Sequence, residues 1–221
     1  VKQGILRTDI LIIVSMEAIS LKYSLMQENP LKKTAMGELS IQEIHHHCIA
    51  TTQKIIQGFG WHDISLSVLS TADKERLKCG EYTGELNWQW AMNHYSGDAN
   101  DGIINISLKV MDYADSSALH AVILCKYDVR RAEFSLCMLE NFIASEQISL
   151  TGNVLIIALI YSTTFCDILE IDDVIIQDPT KEAKPRYRSY GFADVWSDFN
   201  KMSSTVSDIK QCIVEKIASI V

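Results

Sequence analysis

The stretch Asp172–Phe192, DDVIIQDPTKEAKPRYRSYGF, changes its pattern once, and that change orders the rest of the chain. Val174, Ile175 and Ile176 form a continuous apolar run, which reads as a short buried strand. After Asp178 and Pro179 the residues turn polar and basic, and the segment from Thr180 reads as a short helix stopped by Gly191. Pro185 has no N–H, so it shortens or kinks that helix unless it lies in the first turn. Lys181, Lys184, Arg186 and Arg188 stand against Glu182 alone. That local basicity suits a small anionic ligand such as a phosphate-bearing cofactor.

Immediately upstream, Val154–Tyr161 is apolar throughout, and the run continues to Leu169 without a turn signal, which favours a buried helix over a strand. Gly152 and Asn153 precede it, and a turn of this kind can set a ligand phosphate on a helix N-terminus. Further upstream, IINISLKVMD (103–112) and SALHAVILCKYD (117–128) read as strands. The second passes through YDVRR into AEFSLCMLENFI as a long antiparallel hairpin. DISLSVLS (63–70) alternates apolar residues with serines, as a half-buried strand does, and Thr71 or Asp73 can start a short helix after it.

Between Ser40 and Gly60, Ile41, Ile44, Cys48, Ile49, Ile55 and Ile56 recur at helical spacing. Ser40 is the expected N-cap, Glu43 its partner three residues on, and Gly58 and Gly60 are stops. Residues 1–37 hold one short apolar run, DILIIVS, among polar turns. At the other end ADVWSDF reads as a last strand, and residues 203–221 repeat Val206, Ile209, Ile213 and Ile217 as a C-terminal helix. Strand, helix, antiparallel strands, a glycine-bearing turn into a helix, strand, short helix and strand make an α+β fold with a mixed α/β sheet.

The 221 residues fit one large domain, and 48% hydrophobic with 22% charged residues is ordinary for a soluble globular chain. A net charge of -8 argues against a nucleic-acid partner, whose phosphates need Lys and Arg to neutralise them. The apolar runs fall short of the roughly 18 to 20 residues of a spanning helix, so no membrane association is expected. No clear cleavage signal follows the N-terminal apolar run, and the six cysteines are dispersed without a C-x-x-C pair. Reduced thiols and a cytoplasmic location follow. His45, His46, His47 and Cys48 resemble a metal cluster, but successive helical residues point about 100° apart and cannot converge on one ion. No metal site is assigned, and a solvated helix face is expected there. The dispersed His62, His94 and His120 have no Ser or Cys partner at a recognisable spacing.

SLTGNVLIIAL and VIIQDPTKEAKPRYRSYGF, in this order and spacing, resemble the acyl-CoA binding core of the GCN5-related N-acetyltransferase (GNAT) family over roughly residues 64–202. The family's helix motif N-x-x-A-x-x-L-Y-x-x-x-G-F is matched at Ala183, Tyr187, Gly191 and Phe192, with Thr180 at the asparagine and Arg186 at the leucine. Its turn motif, (Q/R)-x-x-G-x-(G/A), falls on Ser149, Leu150, Thr151, Gly152, Asn153 and Val154 and keeps only the central glycine.

The resemblance implies a GNAT-like domain over residues 64–221, preceded by an extension over 1–63 with a helix at about 40–57. It implies transfer of an acetyl group from acetyl-CoA to a small-molecule or peptide amine by direct attack in a ternary complex. The residues Ser149–Val154 would hold the cofactor, and Tyr187 would give a proton to the departing sulfur. Glu140, on the long central strand among apolar neighbours, would accept a proton near neutrality. Trp88 and Trp90, pointing to one side of a strand, would line the acceptor site. The alternative is a noncatalytic GNAT-like module that binds a protein partner or a second copy of itself, which the degenerate turn favours.

Overall fold

A computed structural model describes residues 40–82, 84–95, 102–114, 118–143 and 152–220. The elements follow in the order α1 (Ile41–Gly58), β1 (Ile64–Val68), α2 (Thr71–Lys78), α3 (Trp88–His94), β2 (Ile103–Asp112), β3 (Ala121–Asp128) and β4 (Glu133–Asn141). After these come α4 (Val154–Leu169), β5 (Asp173–Gln177), α5 (Lys184–Arg188), β6 (Ala193–Val195), β7 (Asp198–Thr205) and α6 (Val206–Ile220). The seven strands form one sheet in the order β1-β2-β3-β4-β5-β7-β6. Every neighbouring pair is antiparallel except β4 and β5, which are parallel.

Helix α1 starts at Ser40 because both halves of a capping box close. The Glu43 amide donates to Ser40 Oγ at 3.3 Å and the Ser40 amide donates to Glu43 Oε2 at 2.8 Å. Ile44, Cys48, Thr52, Ile55 and Ile56 form its buried face, which lies on α4 and β1. Ser70 and Asp73 cap α2 in the same way. Helix α4 buries every residue except Asp167 and Leu169, as a helix apolar on all sides must. It is enclosed by α1 and α6 and rests on β4 and β5. Its buried serine and threonine hydroxyls are satisfied within the helix, Ser162 donating to the Ala158 carbonyl and Thr163 and Thr164 to that of Ile160.

One face of the sheet, with Ile106, Leu108, Ile123 and Phe134, meets the core that holds α1, α4 and α6. On the other, Val122 and Leu124 meet Leu77 of α2 and Trp88 and Met92 of α3. Strand β4 serves both faces through one extra residue. Cys125 is opposite Leu136 and Leu124 is opposite Met138, so Cys137 is a β-bulge. Before the bulge the even-numbered Phe134 and Leu136 point to the α4 side. After it the odd-numbered Leu139 does so, while Met138 and Phe142 join the α3 side.

Three expectations are corrected. The segment around Trp88 and Trp90 is helix α3, not a strand; Asn87 caps it by accepting from the Trp90 amide at 2.9 Å. ADVWSDF is not one strand but two, β6 and the start of β7, and β7 runs on to Thr205 because Ser203 pairs with both Ile175 and Ala193. The C-terminal helix accordingly begins at Val206, with Thr205 Oγ1 accepting from the Asp208 amide at 3.0 Å.

The histidine run is also not a uniformly solvated face. His46 is exposed and bonds the Gln42 carbonyl, but His45 turns inward against Tyr161 of α4, with Nδ1 2.6 Å from the phenol oxygen. Burial lowers the His45 pKa to about 4, with His46 adding to the effect and a backbone hydrogen bond at Ser107 opposing it. The neutral tautomer protonated on the other ring nitrogen fits both neighbours, since it presents an N–H to the Ser107 backbone and a bare Nδ1 to the phenol. Among the described residues, no helix is long and apolar enough to cross a membrane.

Candidate active-site cleft

Strands β4 and β5 pair only from Phe134 with Val174 to Leu136 with Ile176. Beyond that point they part, and a cleft of about 760 Å³ opens between them. Leu136 to Phe142 of β4 and its continuation form one side, and Ile176 to Thr180 with Ala183 and Tyr187 the other. Gly152, Val154 and Leu155 bring the start of α4 to it, and Gly84 to Asn87, Trp90 and Tyr95 bring the segment around α3.

The turn before α4 has Gly152 at φ +79, a left-handed conformation natural to glycine, and a Cβ there would meet nothing within 4 Å. Asn153 occupies the cap position of α4 without a side-chain hydrogen bond to its first turn, whereas Ser40, Ser70 and Asn87 cap α1, α2 and α3. No acid lies in that first turn. The first amides of this sixteen-residue helix therefore carry partial positive charge, and among the described residues the cap position supplies no side-chain bond to them.

Of the six residues expected at a cofactor turn, Ser149, Leu150 and Thr151 lie outside the described residues. Gly152 and Val154 line the cleft. Asn153 lines a neighbouring cavity of about 300 Å³ together with Arg186, Ser189 and Lys216. The Arg186 guanidinium donates to the Gly152 carbonyl and ties α5 to this turn. Arg186 is the position where the family motif has leucine, and its tether was not visible in the sequence. The expected basic patch is smaller than its composition, because Lys184 and Arg188 both bind the Asp194 carboxylate, at 2.6 and 2.7 Å. Those two partners hold the Asp194 pKa below its ordinary value.

Pro185 lies in the first turn of α5, where its missing N–H costs no helical bond. Tyr187 follows half-buried, its ring edge-on to Phe192 at 6.3 Å between centroids. Burial raises the phenol's pKa, with Arg186 acting in the opposite direction, so the group stays protonated at neutral pH. Tyr190 is buried, with Lys216 Nζ 4.7 Å from its ring centroid, which is a packing role.

Glu140 lies on the α3 side because the bulge at Cys137 reverses the alternation of β4. Its Oε1 accepts from the Glu85 amide and its Oε2 from Trp88 Nε1. The structure separates the two tryptophans, since positions two apart on a helix point about 200° apart. Trp88 is buried and holds Glu140, while Trp90 is 51% exposed and lines the cleft. Gly84 was missed in the sequence and is needed here, because a Cβ on it would overlap the Glu140 carboxyl group. Tyr95 and Asp178 were missed as well. Tyr95 caps the end of α3 and shares a side-chain hydrogen bond with Cys137, whose pKa burial raises to about 11. Asp178 has φ +49, an uncommon conformation that Asp adopts more readily than most residues. Glu133, at the start of β4, binds Lys201 at 2.9 Å.

No family model and no curated protein matches this sequence. Solved structures match in fold. The KacTA–DNA complex is 10% identical, with 69% of this chain and 99% of that chain covered at a TM-score of 0.50. AtaTR bound with AcCoA is 14% identical over 67% of this chain and 97% of that chain, at 0.48. The ribosomal-protein-S18-alanine N-acetyltransferase from Escherichia coli is 11% identical over 65% and 94%, at 0.44. With its seven-stranded mixed sheet, parting β4 and β5, and α4 following the glycine turn, the chain has a GNAT-like fold.

Proposed function

We propose that this protein is an N-acyltransferase that moves an acetyl group from acetyl-CoA to an amine by direct attack in a ternary complex. One observation carries the reading: the uncapped start of α4, the Tyr187 phenol and the Glu140 carboxylate belong to a single cleft at the parting of β4 and β5. The first-turn amides of α4, with the Gly152 turn, supply donors for a pyrophosphate. The edge of β4 beyond Leu136 has lost β5 as its partner, so its backbone groups are available to an extended ligand arm.

In this reading the amine nitrogen bonds to the thioester carbonyl carbon and the carbon–sulfur bond breaks. The nitrogen gives its proton to Glu140, directly or through one water, and the leaving thiolate takes the proton of Tyr187. Solvent returns the proton from Glu140 to Tyr187 before the next turnover. A phenol kept protonated by burial suits the acid role, and a carboxylate fixed by Trp88 and the Glu85 amide suits the acceptor role.

Isothermal calorimetry with acetyl-CoA is the first test, with saturable binding expected. Absence of binding at millimolar donor would overturn the reading. Gly152→Asp, whose side chain has room although the left-handed backbone strains it, sets a carboxylate beside the anion and is expected to abolish binding. Tyr187→Phe is expected to keep the donor Kd and lower kcat by about 10² or more; unchanged turnover removes Tyr187 from the mechanism.

A further inference from the structure

The cleft divides by charge. At its α4 end stands Arg186, the one Lys or Arg among the described lining residues, held on the Gly152 carbonyl. Elsewhere the lining carries the carboxylates of Glu85, Glu140 and Asp178. Glu140 belongs to β4 and Asp178 follows β5, so the two acids border the opening from its opposite sides.

Between them the surface is aromatic. Trp90 stays half-exposed although it stacks on His94 at 4.6 Å and meets Tyr95 edge-on at 5.9 Å. Tyr95 in turn feels the Asp178 charge, which raises the phenol's pKa further after burial has done most of it, and so does Cys137. Asp178 thus lines the same cleft as Trp90 and Tyr95, with its charge acting on the Tyr95 phenol. Its carboxylate accepts from one described side chain, Gln177 Nε2, at 3.1 Å. Aromatic faces next to an acid attract organic cations, by the ring quadrupole and by direct charge.

We infer that the amine acceptor is an organic cation that carries a second positive charge besides the amine that reacts. The second charge lies at Asp178, Tyr95 and Trp90, while the reacting nitrogen lies at Glu140. This inference rests on the acyltransferase reading and names the substrate class of that same site. An acceptor with a carboxylate near its amine meets three acids in this part of the cleft and is disfavoured.

Putrescine and butylamine form the test pair, since they share a four-carbon chain and differ by one charge. Donor binding is established first by calorimetry. The expected result is a kcat/KM for putrescine about tenfold or more above that for butylamine, with the ratio shrinking as salt is raised. Asp178→Asn, an exchange that the left-handed backbone accepts, is expected to bring the ratio towards one and leave the acetyl-CoA Kd unchanged. Equal rates for the two amines, or a preference for butylamine, overturn the inference. If acetyl-CoA does not bind, the acyltransferase reading fails on its own account. In that case, or if neither amine is acetylated, calorimetry of the two amines on the full chain decides the charge question. Putrescine binding that Asp178→Asn removes supports the inference, and no difference between the amines overturns it.

Discussion

Gly84 is small because the Glu140 carboxyl group occupies the space where its side chain would be. Gly84→Ala must push that carboxyl aside, and being the end of a flexible side chain it can yield without unfolding the protein. The cost is the pair of hydrogen bonds from Trp88 Nε1 and the Glu85 amide, roughly 1–3 kcal/mol. We expect a small fall in Tm, a shift in tryptophan emission from the altered indole bond, an unchanged donor Kd and a clear loss of turnover; full turnover would show that the position of Glu140 is immaterial. His45 makes a second residue-scale prediction. Its folded pKa of about 4 lies below the ordinary 6.5, so the unfolded chain binds a proton over this window that the folded one refuses. Stability is therefore greatest above about pH 6.5 and falls towards pH 4, by on the order of 3 kcal/mol from this group. Urea titrations at several pH values should show the slope, and His45→Gln should flatten it.

Among the elements, α4 ends on Glu170 at φ +54, a left-handed position that usually falls to glycine. Glu170→Gly is expected to raise stability by about 1 kcal/mol in chemical denaturation, since it relieves that strain. Most elements were legible in the sequence, because their signals are local: the Ser40 box, the alternation of β1 and the long apolar run of α4. The Trp88–His94 helix was not, since two aromatics two positions apart fit a strand as well as a helix when the segment spans about two turns. Asn87 was the overlooked cue. The site divides in the same way. Gly152 and Tyr187 could be found because turn and helix spacing are local. The contacts of Gly84 with Glu140, of Arg186 with Gly152 and of Tyr95 with Cys137 join residues far apart in sequence, and no periodicity records them.

At the scale of the molecule, α1 is part of what encloses α4. Ile44, Cys48, Ile55 and Ile56 of α1 are buried in the same core cluster as Leu159 and Phe165. Deleting residues up to Gly58 would uncover that side of α4. The lost burial, on the order of 8 kcal/mol for four such side chains, is comparable with the whole stability of a typical domain. We expect the truncated chain to lose its cooperative thermal transition, and a sharp melt near that of the full chain would refute this role for α1. The bulge at Cys137 has a consequence for how the protein can change. Deleting that one residue would restore plain alternation in β4 and leave Leu136 and Leu139 on the core side and Met138 and Glu140 on the side of Trp88, because the bulge is the residue without a partner on β3. What the bulge governs is therefore the local bend and twist of β4 where it leaves β5, and not which side chains face the cleft.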